Sequence, residues 1–167
     1  MSDVALKPCD LHEWLVADYD AGTLRWRKSP GQRGVVGVPV GRLVTKGYLR
    51  FALRGRTYAV HSVLFAMHHG RWPAHQIDHI NGDKTDNHIT NLREATNQQN
   101  AFNRPSKNRT TGTKGVTLHR GRFIARIMVD GKAKHLGCFG TADEARLAYA
   151  TAAHATHGDF ANTGVSP

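Results

Sequence analysis

The chain has 167 residues, with 23 Lys and Arg against 13 Asp and Glu, a formal net charge of +10 and a pI near 10.1. That length allows one ordinary domain or two small ones, and that charge points to a polyanion partner, with a merely solubilised surface as the alternative. No apolar run approaches a membrane span, MSDVALKPCD lacks the layout of a secretory signal, and Cys9 and Cys138 form neither a CxxC pair nor a zinc set, so a reducing cytosolic setting is expected.

From Tyr19 to Val60 the pattern is one of short strands broken by Gly turns, and Arg54-Gly55 within GYLRFALRGRTYAV is a hairpin signal. HSVLFAMHHG, residues 61–70, has the spacing of a short helix closed by Gly70, and Trp72-Pro73 ends it. QIDHI and NLREA then read as short strands around a turn-rich loop, NGDKTDN. Thr96 opens a helix through a capping box with Gln99 that stops before Pro105. The basic stretch 105–111 reads as a linker, which gives a first domain over 1–104 and a second over 112–167. In the second, GVTLH, RFIARIMV and KHLGCF are three strands, with Asp130-Gly131 a tight-hairpin signal. TADEARLAYATAAHATHG is one helix, capped by Thr141 and Glu144 and closed by Gly158.

Residues 76–100, QIDHINGDKTDNHITNLREATNQQN, are too polar for a core strand or an amphipathic helix. They form a solvated loop, or their side chains converge on something polar. In a strand, Asp78 and His79 point to opposite faces and serve different ends. A strand-loop-strand-helix unit of this length can bring Asn100 back towards Asp78. A carboxylate and an amide oxygen make a weak site for a hard cation such as Mg²⁺, which takes its other ligands from water and phosphate. An imidazole beside it can deprotonate a water. An Asp-His pair alone is equally a strand end and a surface turn; the combination within one short unit favours chemistry.

Residues 58–103, YAVHSVLFAMHHGRWPAHQIDHINGDKTDNHITNLREATNQQNAFN, resemble the HNH endonucleases of phages and mobile introns. The resemblance rests on a His-containing helix, a hydrophobic-Asp-His strand, a polar loop, NLR, and T..QN, in that order. It implies a ββα-metal nuclease core, with His79 as general base, Asp78 as first metal ligand and Asn100 as second. Asn91 would tie the loop and orient His79 through a backbone hydrogen bond. Asn at position 100 implies the His-Asn-Asn subgroup and Mg²⁺ or Mn²⁺. His61 is a candidate phosphate contact or a supporting residue, and Arg93 a candidate phosphate contact.

In RFIARIMV, a period of two puts Phe123, Ala125, Ile127 and Val129 on a face for the Ala-rich helix, and Arg122, Ile124, Arg126 and Met128 on the other. That second face is either solvated or a ribbon for the major groove, where Arg can read guanine. Residues 112–162, with the frame GV, DGK, LG.F.TA.EA and AY..AA...HG, resemble the AP2 DNA-binding domain. The resemblance implies reading residues Lys114, Thr117 and His119 on strand one, Arg122, Arg126 and Met128 on strand two, and His135 on strand three. The expected fold is therefore α+β: a nuclease core with N-terminal β-hairpins, then a three-stranded sheet and helix. The expected function is metal-dependent, homing-type cleavage of double-stranded DNA in a bacterial cytoplasm, with one site per chain favouring nicking by a monomer. The alternative is a non-catalytic AP2-type regulator on a vestigial nuclease core.

Overall fold

Pro8 stands at the first position of a helix, where its missing N–H costs nothing, and Asp10 Oδ2 accepts from the Lys7 amide at 3.1 Å. This helix, α1 (Pro8–Trp14), was not expected from the sequence: one turn of amphipathic pattern before Leu15 is too short to register. The computed structural model describes residues 6–31, 34–104, 106 and 110–163. It divides into two compact units, Met1–Ala95 and Thr96–Pro167. The division falls ahead of the Thr96 helix, and of the expected 105–111 linker, residues 105 and 107–109 lie outside the described residues.

In the first unit, β1 (Leu15–Asp18) and β2 (Thr23–Trp26) pair as a hairpin. A second antiparallel sheet has the order β3 (Arg42–Leu43), β4 (Leu49–Leu53), β5 (Arg56–Ala59). β4 and β5 are joined by Arg54-Gly55 with both φ angles positive, 49° and 78°, as a two-residue primed hairpin turn requires. The chain then enters α2 (Val60–His69), which Gly70 closes in the left-handed conformation. Val60, Val63, Leu64 and Met67 recur at helical spacing and are buried, packing with Leu11, Leu15, Leu24 and Leu53 into one core. β6 (Gln76–His79) and β7 (Leu92–Ala95) form a separate antiparallel pair, anchored to this core by Ile77 and Leu92.

In the second unit, α3 (Asn97–Asn103) starts with the expected reciprocal cap: Gln99 N donates to Thr96 Oγ1 at 3.2 Å, and Thr96 N to Gln99 Oε1 at 2.9 Å. β8 (Val116–His119), β9 (Arg122–Val129) and β10 (Lys132–Phe139) make a meander of order β10-β9-β8. Both of its turns, Arg120-Gly121 and Asp130-Gly131, have two positive φ angles. α4 (Ala142–His157) packs on the sheet, and Ala145, Tyr149 and Ala153 close a core with Val116, Ala125 and Ile127. Among the described residues the whole is an α+β fold of small antiparallel sheets and helices, and no helix is long and apolar enough to cross a membrane.

Gly115 fixes how closely α4 approaches the sheet. Its φ is +71°, and a Cβ there would lie 2.3 Å from the Tyr149 ring and 2.4 Å from the Arg126 carbonyl oxygen. The Gly115 carbonyl itself accepts from Arg126 N at 2.8 Å. Gly115→Ala is expected to destabilise the second unit by roughly 1–3 kcal/mol through overpacking, before any cost of the positive φ. Urea unfolding followed by Tyr149 fluorescence, in a background with the Trp signals excluded, would check it.

Candidate active site

The β6–β7 register sets Asp78 opposite Arg93 and His79 opposite Leu92. Asp78 is 6% exposed and His79 4%, so both faces of this short strand are covered and both polar groups need partners. Asp78 finds one across the strand pair: Arg93 Nε donates to Asp78 Oδ2 at 3.0 Å and Nη2 to the same oxygen at 2.9 Å. Arg93, expected to face phosphate, is thus drawn onto the carboxylate, because a buried anion beside a fork of donors is far more stable paired than bare. Removing Arg93 would take both of these bonds from a buried carboxylate, a cost of about 3–5 kcal/mol.

His79 faces the other way, as strand alternation requires. Its Nε2 lies 3.0 Å from Asn87 Oδ1, and its ring meets that of His61 edge to face at 5.2 Å between centroids. Tyr48 stands near both imidazoles, at 5.3 Å from His61 and 6.1 Å from His79, and Lys84 Nζ sits over the Tyr48 ring at 4.7 Å. His61 comes from the first turn of α2 and is enclosed: among the described residues its Nδ1 has no hydrogen-bond partner. Burial, with the neighbouring His79 and Arg50 adding to it, lowers its pKa from 6.5 to about 4. At neutral pH it is an uncharged wall of the site rather than a cationic phosphate contact.

The polar loop between β6 and β7 is tied to itself. Asn81 Oδ1 accepts from Asp83 N at 2.8 Å, Asp83 Oδ1 from Thr85 N at 2.8 Å, and Asp86 Oδ1 from His88 N at 3.2 Å, a run of Asx turns. Asn91 spans it: its Nδ2 donates to Asn81 Oδ1 at 3.0 Å and to the Asp86 carbonyl at 2.8 Å, and its Oδ1 accepts from Asn81 N at 3.0 Å. Its own carbonyl accepts from Ile80 N, the residue after His79, at 2.9 Å. The loop also leans on the first hairpin, where Ile89 N donates to the Tyr19 carbonyl at 3.1 Å. A Cβ at Gly22 would come within 2.4 Å of the Asn87 and His88 backbone.

Asn87 is the residue sequence reasoning missed. It is 2% exposed, deeper than Asn91 at 9%, and it touches His79 directly. In TDNHITN nothing separates it from its polar neighbours; only the depth of the loop, set by Gly22, turns its amide inwards.

Asn100 lies on α3, in the second unit, half-buried, with its amide donating to the Thr96 carbonyl at 2.9 Å. On the second unit's sheet, Thr117, His119, Arg122, Arg126, Met128 and His135 are exposed, and the register sets His119 opposite Arg122 and Arg126 opposite His135. Lys114 departs from this face. It precedes β8, and its ammonium donates to the carbonyls of Ala101, Phe102 and Arg104 at 3.2, 2.6 and 2.9 Å, closing the C-terminal end of α3. Burial lowers its pKa. Three orphan carbonyls at a helix end attract a cation more firmly than an open sheet face does. In the first unit, a cleft of about 730 Å³ is bordered by Arg42, Arg50 and Arg54, with Trp26 and Phe51 in its wall. Arg25, by contrast, donates to the Gly37 carbonyl at 3.0 Å.

The neutral state of His61 has a consequence for stability. Unfolded, the imidazole titrates near 6.5; folded, near 4, so in this window the unfolded chain binds more protons. Stability should therefore fall as pH drops from about 6.5 towards 4, by on the order of 3 kcal/mol from this group. Chemical denaturation across that range should show a shallower dependence in His61→Phe than in the wild type, and parallel curves would assign the pH dependence elsewhere.

Residues 58–102 match the model of the HNH endonuclease family, a segment running from β5 through α2, β6 and β7 into α3. Comparison with curated proteins and with solved structures gives no significant match. HNH nucleases act on DNA and typically use a divalent metal. With Asp78, His79, Asn91 and the newly found Asn87 all inside the matched segment, residues 58–102 are an HNH endonuclease domain, of a nuclease family.

Proposed function

We propose that the protein is a metal-dependent, homing-type DNA endonuclease that cleaves one strand per visit, and that its second unit helps to choose the sequence. The observation that carries this reading is the buried Asp78–His79 pair on β6, each residue separately hydrogen-bonded, within the segment that matches the nuclease family. His79 is the general base: it takes a proton from water as the water oxygen adds to phosphorus and the bond from phosphorus to the 3′ oxygen breaks. Asn91 holds the loop from which His79 is supported.

The donor chemistry suits a hard cation. Asp78 offers a carboxylate held by the Arg93 guanidinium, and Asn100 is the second oxygen ligand that the resemblance implies. An ion of this kind takes its remaining ligands from water and phosphate. Bound there, Mg²⁺ or Mn²⁺ would polarise the phosphate and stabilise the leaving oxygen.

Two features support DNA as the polyanion. The arginine-lined cleft of the first unit offers phosphate contacts, which fix register and affinity without reading sequence. The exposed face of the β8–β10 sheet, backed by α4, would serve as the reading surface that the AP2 resemblance implies, with Arg126 a donor suited to base edges and Arg122 donating to the Cys138 carbonyl at 3.2 Å. Lys114 belongs to the framework of this unit rather than to its reading face.

A cleavage assay on supercoiled plasmid, with Mg²⁺, Mn²⁺ or EDTA, tests the reading. The wild type should form open circles only with metal, His79→Ala should lose cleavage while retaining DNA binding, and Asp78→Ala should lose cleavage and metal dependence together. Binding without cleavage in the wild type, on DNA that contains its selected site, would favour a non-catalytic regulator instead.

Arg126→Ala should weaken binding by roughly 1–3 kcal/mol at one target position in a selected-site experiment. A uniform loss over all sequences would make Arg126 a phosphate contact.

A further inference from the structure

We propose that Arg42 and Arg50 together form one site for a single backbone phosphate of DNA, close to the bond that is cut. It rests on the nuclease reading above, and narrows a general attraction for DNA to two residues and one phosphate.

The register of the second sheet sets Arg42 of β3 directly opposite Arg50 of β4, and both are exposed. Residues paired in this way share a face, with Cα atoms about 4.5–5.5 Å apart. Like charges so placed repel each other and weaken the strand pair, where an acid across from an arginine would strengthen it. Nothing in the unit offsets that repulsion. From residue 21 to residue 77 the chain has ten Lys and Arg and no Asp or Glu. The ion-paired acids of this unit are engaged elsewhere, Glu13 with Lys28, Glu94 with Arg71 and Asp78 with Arg93. Among the described residues neither Arg42 nor Arg50 has an acidic partner. On its other side Arg50 faces Ala59 of β5, which brings no charge. The partner that would quiet this pair is therefore an anion from outside the chain.

Two guanidiniums side by side present more N–H donors than one carboxylate can accept, and a phosphodiester offers two free oxygens, one for each fork. The position in the fold ties the pair to the chemistry. Tyr48 immediately precedes β4, and its ring lies 5.3 Å from that of His61 and 6.1 Å from that of His79. Arg50 is two residues further on, so strand alternation puts it on the same side as Tyr48, about 7 Å along the chain. The β3–β4 turn is closed by bonds from Val44 N to the Tyr48 carbonyl at 2.9 Å and from Gly47 N to the Val44 carbonyl at 2.7 Å. Both arginines are thus fixed relative to the aromatic ring that touches the imidazoles. A phosphate held between them would secure the backbone beside the one on which His79 acts.

The test uses the full, metal-free chain with Arg42→Gln, Arg50→Gln and the double variant, and two probes: a duplex containing its selected site, and inorganic phosphate. Each single variant should bind the duplex about tenfold more weakly. The double variant should lose less than the sum of the two losses, because both arginines act on one group. Its slope of log affinity against log salt should fall by about one. Additive losses with a fall of about two would mean two separate phosphates and overturn the proposal, as would single variants that bind like the wild type. Inorganic phosphate should raise the thermal midpoint of the wild type above its value in chloride of equal ionic strength, and raise that of the double variant less. Equal effects on both would also overturn it. Phosphate stabilisation that the variants lose, with duplex binding unchanged, would make the pair a site for free phosphate and overturn its assignment to DNA. The melts show that each variant folds, and neither readout needs cleavage. The expected slopes in a protein that cuts no DNA would sink the nuclease reading and leave the phosphate site standing; metal-dependent cleavage with variants that bind normally would do the reverse.

Discussion

The first unit depends on a set of buried amide hydrogen bonds in the connection between β6 and β7. A strand pair of four residues each cannot by itself hold a loop of a dozen polar residues in one shape, because the backbone entropy of such a loop exceeds what its few apolar contacts return. The Asn side chains supply the order. Asn91 joins both ends of the loop, Asn87 joins its deepest point to His79, and Asn81, Asp83 and Asp86 set the turns between them. Amides suit this role better than carboxylates or lysines: they both donate and accept, and they can be enclosed without burying a charge. The abundance of Asn in this stretch is thus structural in its cause and chemical in its effect.

The same economy governs charge. Asp78 is the one acidic side chain among the buried residues described, and it is matched by Arg93 through two bonds to a single oxygen. On the opposite face of β6, His61, His79 and Tyr48 form a ring cluster in which His61 stays neutral. At 5.2 Å between ring centroids, His79 adds to the burial that keeps His61 neutral. The two faces therefore differ in kind: one carries an ion pair, the other a cluster of rings around a neutral His61.

Much of this was legible in the sequence where a residue type has few conformational uses. Arg54-Gly55 and Asp130-Gly131 announced hairpins because a primed turn needs two positive φ angles, and Thr96 with Gln99, like Thr141 with Glu144, announced helix starts because the cap is local. Alternation in RFIARIMV correctly divided Ala125 and Ile127 from Arg122 and Arg126. What escaped was set by distant parts of the chain. Lys114 looked like a strand residue on a basic face, but the orphan carbonyls it closes lie at the end of a helix that stops eleven residues earlier. Arg93 looked like a surface cation until the register placed it across from Asp78. Asn87 had no local mark, since its backbone packs against Gly22, remote in sequence and in the turn of the first hairpin.

That remoteness has a functional meaning. Arg42, Arg50 and Arg54 are exposed cations around the cleft, and cations of that kind act on a polyanion through a screened field. The order of the β6–β7 loop comes instead from buried polar groups held in one arrangement. The two properties are therefore supported by different parts of the first unit. Changing a surface arginine alters net charge and leaves the loop intact, whereas adding one methyl at Gly22 alters no charge at all and acts on His79 through the backbone of Asn87. A glycine in the N-terminal hairpin is in this sense part of the site's framework.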